Sequence, residues 1–270
     1  MSDRRRNVPV AESRPIDFPD EEEEEGERPQ RPGSRAPGEM RKMFLKTGLI
    51  AKANGSAFVE TDSIKVAAAV YGPRQTKTST FLRIASLNAD VRYAPFASQV
   101  RSGYLPDARE RDLSTILQAA LAPSIQLHLF PKSVIDVYVT VMEADGEVAT
   151  LAAAITCASA AIADADIESL DTVTASSVMT KDGGIILDPD GKDDRLPGTS
   201  QMMVAYLAAR GELSNVLTRG NIKVDDSATG FQKVVYTCIA AATEVRHVTN
   251  GALIETAKLA SHGINGIHAS

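Results

Sequence analysis

Residues 134–165 read VIDVYVTVMEADGEVATLAAAITCASAAIADA. The first part, Val134 to Met142, is β-branched at nearly every position and predicts a central strand. After Asp145-Gly146, the run from Val148 to Ala165 is mostly Ala, Thr and Ser, with Asp164 near its end. A membrane span wants about twenty residues richer in Leu, Ile and Phe. The run therefore predicts a small-residue helix buried in a tight core.

Upstream, Ile64 to Tyr71 is a β-branched and Ala run ended by Gly72-Pro73. Apart from Lys65 it is apolar on both faces, which predicts a buried strand. Leu49 to Val59 reads as a strand pair around the turn signal Asn54-Gly55-Ser56, and Phe81 to Arg92 as the next strand. Asp107 to Ala122 has helical spacing, with acidic Asp107 in front and Pro123 behind. Downstream, Thr172 to Met179 and Gly184 to Leu187 pair around Lys181-Asp182-Gly183. Thr199 to Leu207 is another strand, followed by a turn at Arg210-Gly211-Glu212. Asp225 to about Ala260 is a long helical stretch, with Ser227 as candidate N-cap. Strands, helix, strand, helix, strands and long helix define an α+β class, mixed sheets with packed helices.

Residues 1–38 differ from the rest. They hold six of the thirteen prolines and the unbroken run Glu21 to Glu25. Their few large apolar residues cannot offset the entropy of ordering, which predicts a disordered tail ahead of a folded body at 39–270. By itself the Glu run is a solvated, self-repelling linker. Alternatively the tail is an arm anchored on a partner by Val8, Val10, Ile16 and Phe18.

Composition narrows function. The 270 residues are 43 % hydrophobic with net charge −6 and no Trp. A broad positive face for nucleic acid and an aromatic platform for single strands are both disfavoured. Cys157, Cys238 and the four His show no metal-ligand spacing, so neither a zinc site nor a disulfide framework is expected. The chain opens on no charged-then-apolar leader, and an intracellular, non-membrane protein is expected.

An ordered series of motifs resembles the RNase PH-like family. It runs Arg31-Pro32-Gly33-Ser34-Arg35, Asn54-Gly55-Ser56-Ala57, Glu60, Ile64-Lys65-Val66 and Val70-Tyr71-Gly72-Pro73-Arg74. It continues through Arg92-Tyr93-Ala94-Pro95-Phe96, Phe130 to Val137, Ala160 to Asp166 and Ile185-Ile186-Leu187-Asp188. Arg4-Arg5-Arg6, the acidic stretch and Gly48-Leu49-Ile50 resemble one branch, the ring subunits of the RNA exosome. The resemblance implies the RNase PH-like fold at 39–270 and a closed ring with other RNase PH-like subunits. It also implies S1 or KH cap subunits, an associated exoribonuclease and RNA passing through the assembled ring. The implied location is nucleus, nucleolus and cytoplasm.

Active members of that family hold phosphate on a Gly-Thr-Arg or Gly-Ser-Arg turn before the buried helix, where hydroxyl, backbone N–H and guanidinium meet a dianion. One register puts Ala149-Thr150-Leu151 there, making Thr150 and Leu151 degenerate phosphate-site positions; the other puts Glu147-Val148-Ala149 there. Neither offers an Arg, and Glu147 would repel phosphate. Asp188 and Asp194 are spaced like the family's metal-holding acidic pair, but with Pro189, Gly191 and Lys192 between them they read first as an acidic solvated turn. Without a phosphate cradle they are vestigial candidates, and no catalytic residue, metal or cofactor is expected. Arg74, Arg101 and Arg109 are candidates for RNA contact; Arg74, after Gly72-Pro73, would face the channel or else bulk solvent. The expectation is a non-catalytic structural subunit supporting 3′-5′ RNA processing and degradation. The alternatives are an active phosphate-dependent 3′-5′ exoribonuclease and a free-standing RNA-binding module, the latter disfavoured by the acidity and scarce aromatics.

Overall fold

The computed structural model describes residues 35–75, 83–98, 101, 103, 105, 107–181, 184–191, 193, 198–220 and 230–267. The first sheet runs β1-β2-β3-β5-β4, from Met43–Thr47 (β1), Gly55–Thr61 (β2), Ile64–Gln75 (β3), Ser86–Tyr93 (β4) and Ser133–Glu143 (β5). Its pairs are antiparallel except β4 with β5, which are parallel and joined through helix α1, Ala108–Leu121. The second sheet is antiparallel, in the order β7-β6-β8-β9, from Val173–Lys181 (β6), Gly184–Leu187 (β7), Ser200–Leu207 (β8) and Glu212–Arg219 (β9).

Helix α2, Glu147–Asp164, lies between the sheets, packed on β2 and β3 on one side and on β6 on the other. Its small residues permit this double contact. A Cβ on Gly55 of β2 would lie 2.4 Å from the Ala161 carbonyl oxygen. Its polar side chains bond to the flanking strands. Ser159 Oγ accepts from Val173 N at 2.8 Å, Thr156 Oγ1 accepts from Ala175 N at 3.1 Å, and Asp164 accepts from Ser56 N at 2.9 Å. The Asp164 bond explains an acid at the end of an apolar run. The helix is long and apolar enough to cross a membrane, but 83 % of it is buried inside the protein. Helix α3, Phe231–Ile267, covers the other face of the second sheet, where Thr174 and Ser176 donate to the Ala242 and Cys238 carbonyls.

Several expectations shift. The first strand is Met43–Thr47, and the expected Leu49 start falls in an exposed loop. Strand β3 does not end at Gly72-Pro73. It runs on to Gln75 through a bulge, with Tyr71 opposite Asp136 and Arg74 opposite Val134. Strand β9 was not expected. Helix α3 begins at Phe231; Ser227 and the 182–183 turn lie outside the described residues. Residues 36–38, assigned to the tail by composition, join the body: Leu187 N donates to Pro37 O at 2.8 Å. Residues 1–34 lie outside the described residues.

Candidate functional site

Three segments meet at the start of α2: the loop 144–146, residues 188–191 after β7, and residues 36–42 before β1. Gly146, at φ +80°, turns the chain so that Glu147 is the first helical residue. Thr150 is one turn in, fully buried, with Oγ1 donating to the Gly146 carbonyl at 2.5 Å, and Leu151 packs in the core. The helix therefore opens at Glu147-Val148-Ala149. Thr150 and Leu151 face inward.

A helix N-terminus carries partial positive charge and unpaired N–H groups. Here the chain supplies its own anion, Glu147. Arg109 of α1 meets its carboxylate at 2.9 Å, and Arg219 of β9 also hydrogen-bonds to it. Burial alone would raise this carboxyl's pKa. The Arg219 hydrogen bond and both guanidinium charges outweigh it and hold the group below the usual carboxylate range. Glu147 is thus ionised at neutral pH. Arg109 also lies over the Tyr93 ring at 5.6 Å. Burial is the leading cause pushing that tyrosine up to about 12.

Beside it sits a second cluster of opposite polarity. Arg41 is only 2 % exposed at its side chain. Its Nε donates to Asp188 Oδ2 at 2.7 Å, its Nη2 to Asp188 Oδ1 at 2.5 Å, and its Nη1 to Asp145 Oδ2 at 3.0 Å. Asp190 lies 3.9 Å from Nη1. Burial would lower the guanidinium's pKa, but the Asp188 hydrogen bond and the three carboxylates raise it overall. Asp145 Oδ1 accepts from Gly191 N at 2.6 Å, a contact so close that a Cβ on Gly191 would lie 2.5 Å from that oxygen.

The metal expected of an active relative does not fit this arrangement. Both Asp188 oxygens are taken by a guanidinium, and among the described residues no group of three His, Cys, Asp or Glu is placed to hold an ion. Asp194 lies outside the described residues. Arg74 is exposed, ion-paired with Asp136 and 6.0 Å from the Tyr71 ring centroid. Arg101 is exposed. Cys157 and Cys238 are buried free thiols, each pushed up to about 12 by burial, and so poor nucleophiles. Sequence reasoning missed Arg41 and Arg219. Their partners lie 147 and 72 residues away, and no local pattern marks them.

Two sheets with a small-residue helix between them form the RNase PH-like fold. The crystal structure of rice Rrp46 matches it with a TM-score of 0.68 at 22 % identity, covering 83 % of this chain and all of that one. Residues 39–168 match domain 1 of the 3′ exoribonuclease family. The exosome complex component mtr3 of Schizosaccharomyces pombe is 41 % identical over 94 % of this chain and 96 % of its own length. Its counterpart MTR3 in Chaetomium thermophilum is 34 % identical over 83 % of this chain and 88 % of its own length. The chain belongs to the RNase PH-like 3′ exoribonuclease family.

Proposed function

We propose that the chain is a non-catalytic structural subunit of the RNA exosome core ring, supporting 3′-5′ RNA processing and degradation. Its similarity to two exosome complex components over most of their lengths supports the place in the ring. One observation carries the lack of catalysis: the start of α2 is closed by the ionised Glu147 carboxylate, held by Arg109 and Arg219. Phosphorolysis needs an inorganic phosphate dianion beside the RNA 3′ end. At this helix start a dianion meets a like charge, and the nearby guanidiniums are already paired. Losing one positioned donor in such a site typically costs about 3–4 kcal/mol of transition-state stabilisation.

In this reading the partners are other RNase PH-like ring subunits, S1 or KH cap subunits and an associated exoribonuclease. The sites of action are nucleus, nucleolus and cytoplasm. RNA passes through the assembled ring, and Arg74 and Arg101, both exposed, are the side chains offered to its phosphates. The test is reconstitution from purified RNase PH-like exosome subunits. The chain should enter a closed ring in equimolar amount. A ring that closes without it, leaving it free in solution, overturns the assignment.

A further inference from the structure

A bulge decides which way Arg74 points. Side chains alternate between the two faces of a strand, so residues three apart on a regular strand point to opposite faces. Tyr71 and Arg74 are three apart on β3, yet both lie on one face of the first sheet. Tyr71 pairs with Asp136 of β5 and Arg74 with Val134, two residues that share the face opposite the buried Ile135 and Val137. The register shift between Tyr71 and Arg74 makes the difference. Two features hold it. Gly72 sits at φ +138°, and a Cβ there would lie 2.7 Å from the Val134 carbonyl oxygen, so only glycine fits. The Gly72 N–H donates to Asn54 Oδ1 at 3.1 Å, and Asn54 N donates in turn to Val70 O at 3.0 Å.

On this face the guanidinium meets Asp136, which is the better anchored of the two: its side chain is 14 % exposed against 60 % for Arg74. Asp136 Oδ1 accepts from Nδ2 of Asn88, its register partner on β4, at 2.9 Å, and Oδ2 accepts from Arg74 Nη2. Tyr71 flanks the same guanidinium, its ring centroid 6.0 Å from the central carbon. Among the described residues Nη2 is the engaged nitrogen of the fork, which leaves Nε and Nη1 open to an anion. An ion pair this exposed adds little to stability. Its consequence is direction. A loose arginine gives up rotamer freedom to hold a phosphate, whereas one already tied has less to lose.

We propose that Asp136, pinned by Asn88, is a positioning residue for Arg74: it fixes the guanidinium so that Nε and Nη1 are presented to a phosphate of single-stranded RNA. This role rests on the proposed reading that Arg74 meets RNA phosphates. Charge and positioning predict opposite signs. As a like charge beside a phosphate, Asp136 would weaken RNA binding and its removal would tighten it; as a positioning residue, its removal loosens it.

The test is the affinity of the reconstituted ring for a short oligouridylate at several salt concentrations, with wild type, Asp136→Ala, Arg74→Ala and the double variant. Asp136→Ala should weaken binding about 2–10-fold, the cost of ordering one long side chain, and should weaken it no further once Arg74 is replaced. Asn88→Ala removes the bond to Oδ1 without changing any charge and should weaken binding by a smaller factor. It decides alone should Asp136→Ala fail to fold or to enter the ring, and unchanged binding would then overturn the proposal. Unchanged or tighter binding by Asp136→Ala, with Arg74→Ala still lowering the salt slope, overturns the positioning role and leaves the Arg74 contact standing. A loss that persists in the Arg74→Ala background shows that Asp136 acts through something other than Arg74 and overturns it too. Should Arg74→Ala change neither affinity nor slope, the RNA contact itself fails and the positioning role falls with it.

Discussion

Replacing Arg41 by Ala removes a guanidinium with three hydrogen bonds of 3.0 Å or less to Asp188 and Asp145; a fourth, at 3.2 Å, runs from the Arg41 backbone N–H to Asp188. The substitution spares that backbone bond and leaves the carboxylates facing one another without their cation. Breaking a buried ion pair by deleting one partner costs roughly 3–5 kcal/mol. The lower end applies here, because Asp145 keeps 24 % side-chain exposure and Asp190 sits at 3.9 Å. For a chain of this size about 3 kcal/mol lowers the melting temperature by roughly 6–12 °C. Differential scanning calorimetry of wild type and Arg41→Ala measures it. Arg41→Lys should recover less than half of the loss, because an ammonium keeps the charge without the fork that meets both Asp188 oxygens. A fall of less than about 1 °C for Arg41→Ala would refute the claim that this guanidinium joins residues 36–42 to the two loops beside α2.

Gly55→Ala should destabilise by about 1–3 kcal/mol or more in urea denaturation, since its Cβ would lie 2.3 Å from the Ala165 backbone nitrogen. The stabilisation contributed by ionised Glu147 should be present above the ordinary carboxylate pKa and lost as pH falls through its depressed folded value. The melting difference between wild type and Glu147→Gln should therefore be steady at neutral pH and close in acid; a gap that widens in acid would reverse the sign of the shift. Arg74→Ala should reduce the log–log salt slope of RNA binding to the reconstituted ring by about 0.7, one phosphate contact on a single strand, without altering sequence preference. An unchanged slope would return Arg74 to an ordinary surface ion pair.

What the sequence made legible follows burial. Strand β5 and helix α2 appear within one residue of their expected bounds, because the buried face of β5 is an unbroken set of Ile and Val and α2 is small and apolar almost throughout. Strand β9 escaped notice because it is a half-exposed edge, with Glu212, Thr218 and Arg219 in solvent and only a weak alternation. Leu49 and Ile50 misled by being apolar yet exposed in a loop, which moved the first strand downstream of its true place. The missing Arg at the helix start was readable from local sequence. The clamp on Glu147 was not, because Arg109 and Arg219 reach it from α1 and β9 through the fold. Asp188 resembled a metal ligand by local spacing. The side chain that occupies it, Arg41, lies at the other end of the chain.

The central claim, a ring subunit without chemistry of its own, is tested most directly by phosphate-dependent release of nucleoside diphosphates from a short RNA. The assay uses the purified chain and the reconstituted ring, each as wild type and with Arg109→Ala and Arg219→Ala together. A non-catalytic chain gives no release above the blank, and the ring's own rate, whatever it is, does not change with the double substitution once assembly is intact. Phosphate-dependent release by the chain, abolished by removing Arg109 and Arg219, would contradict it.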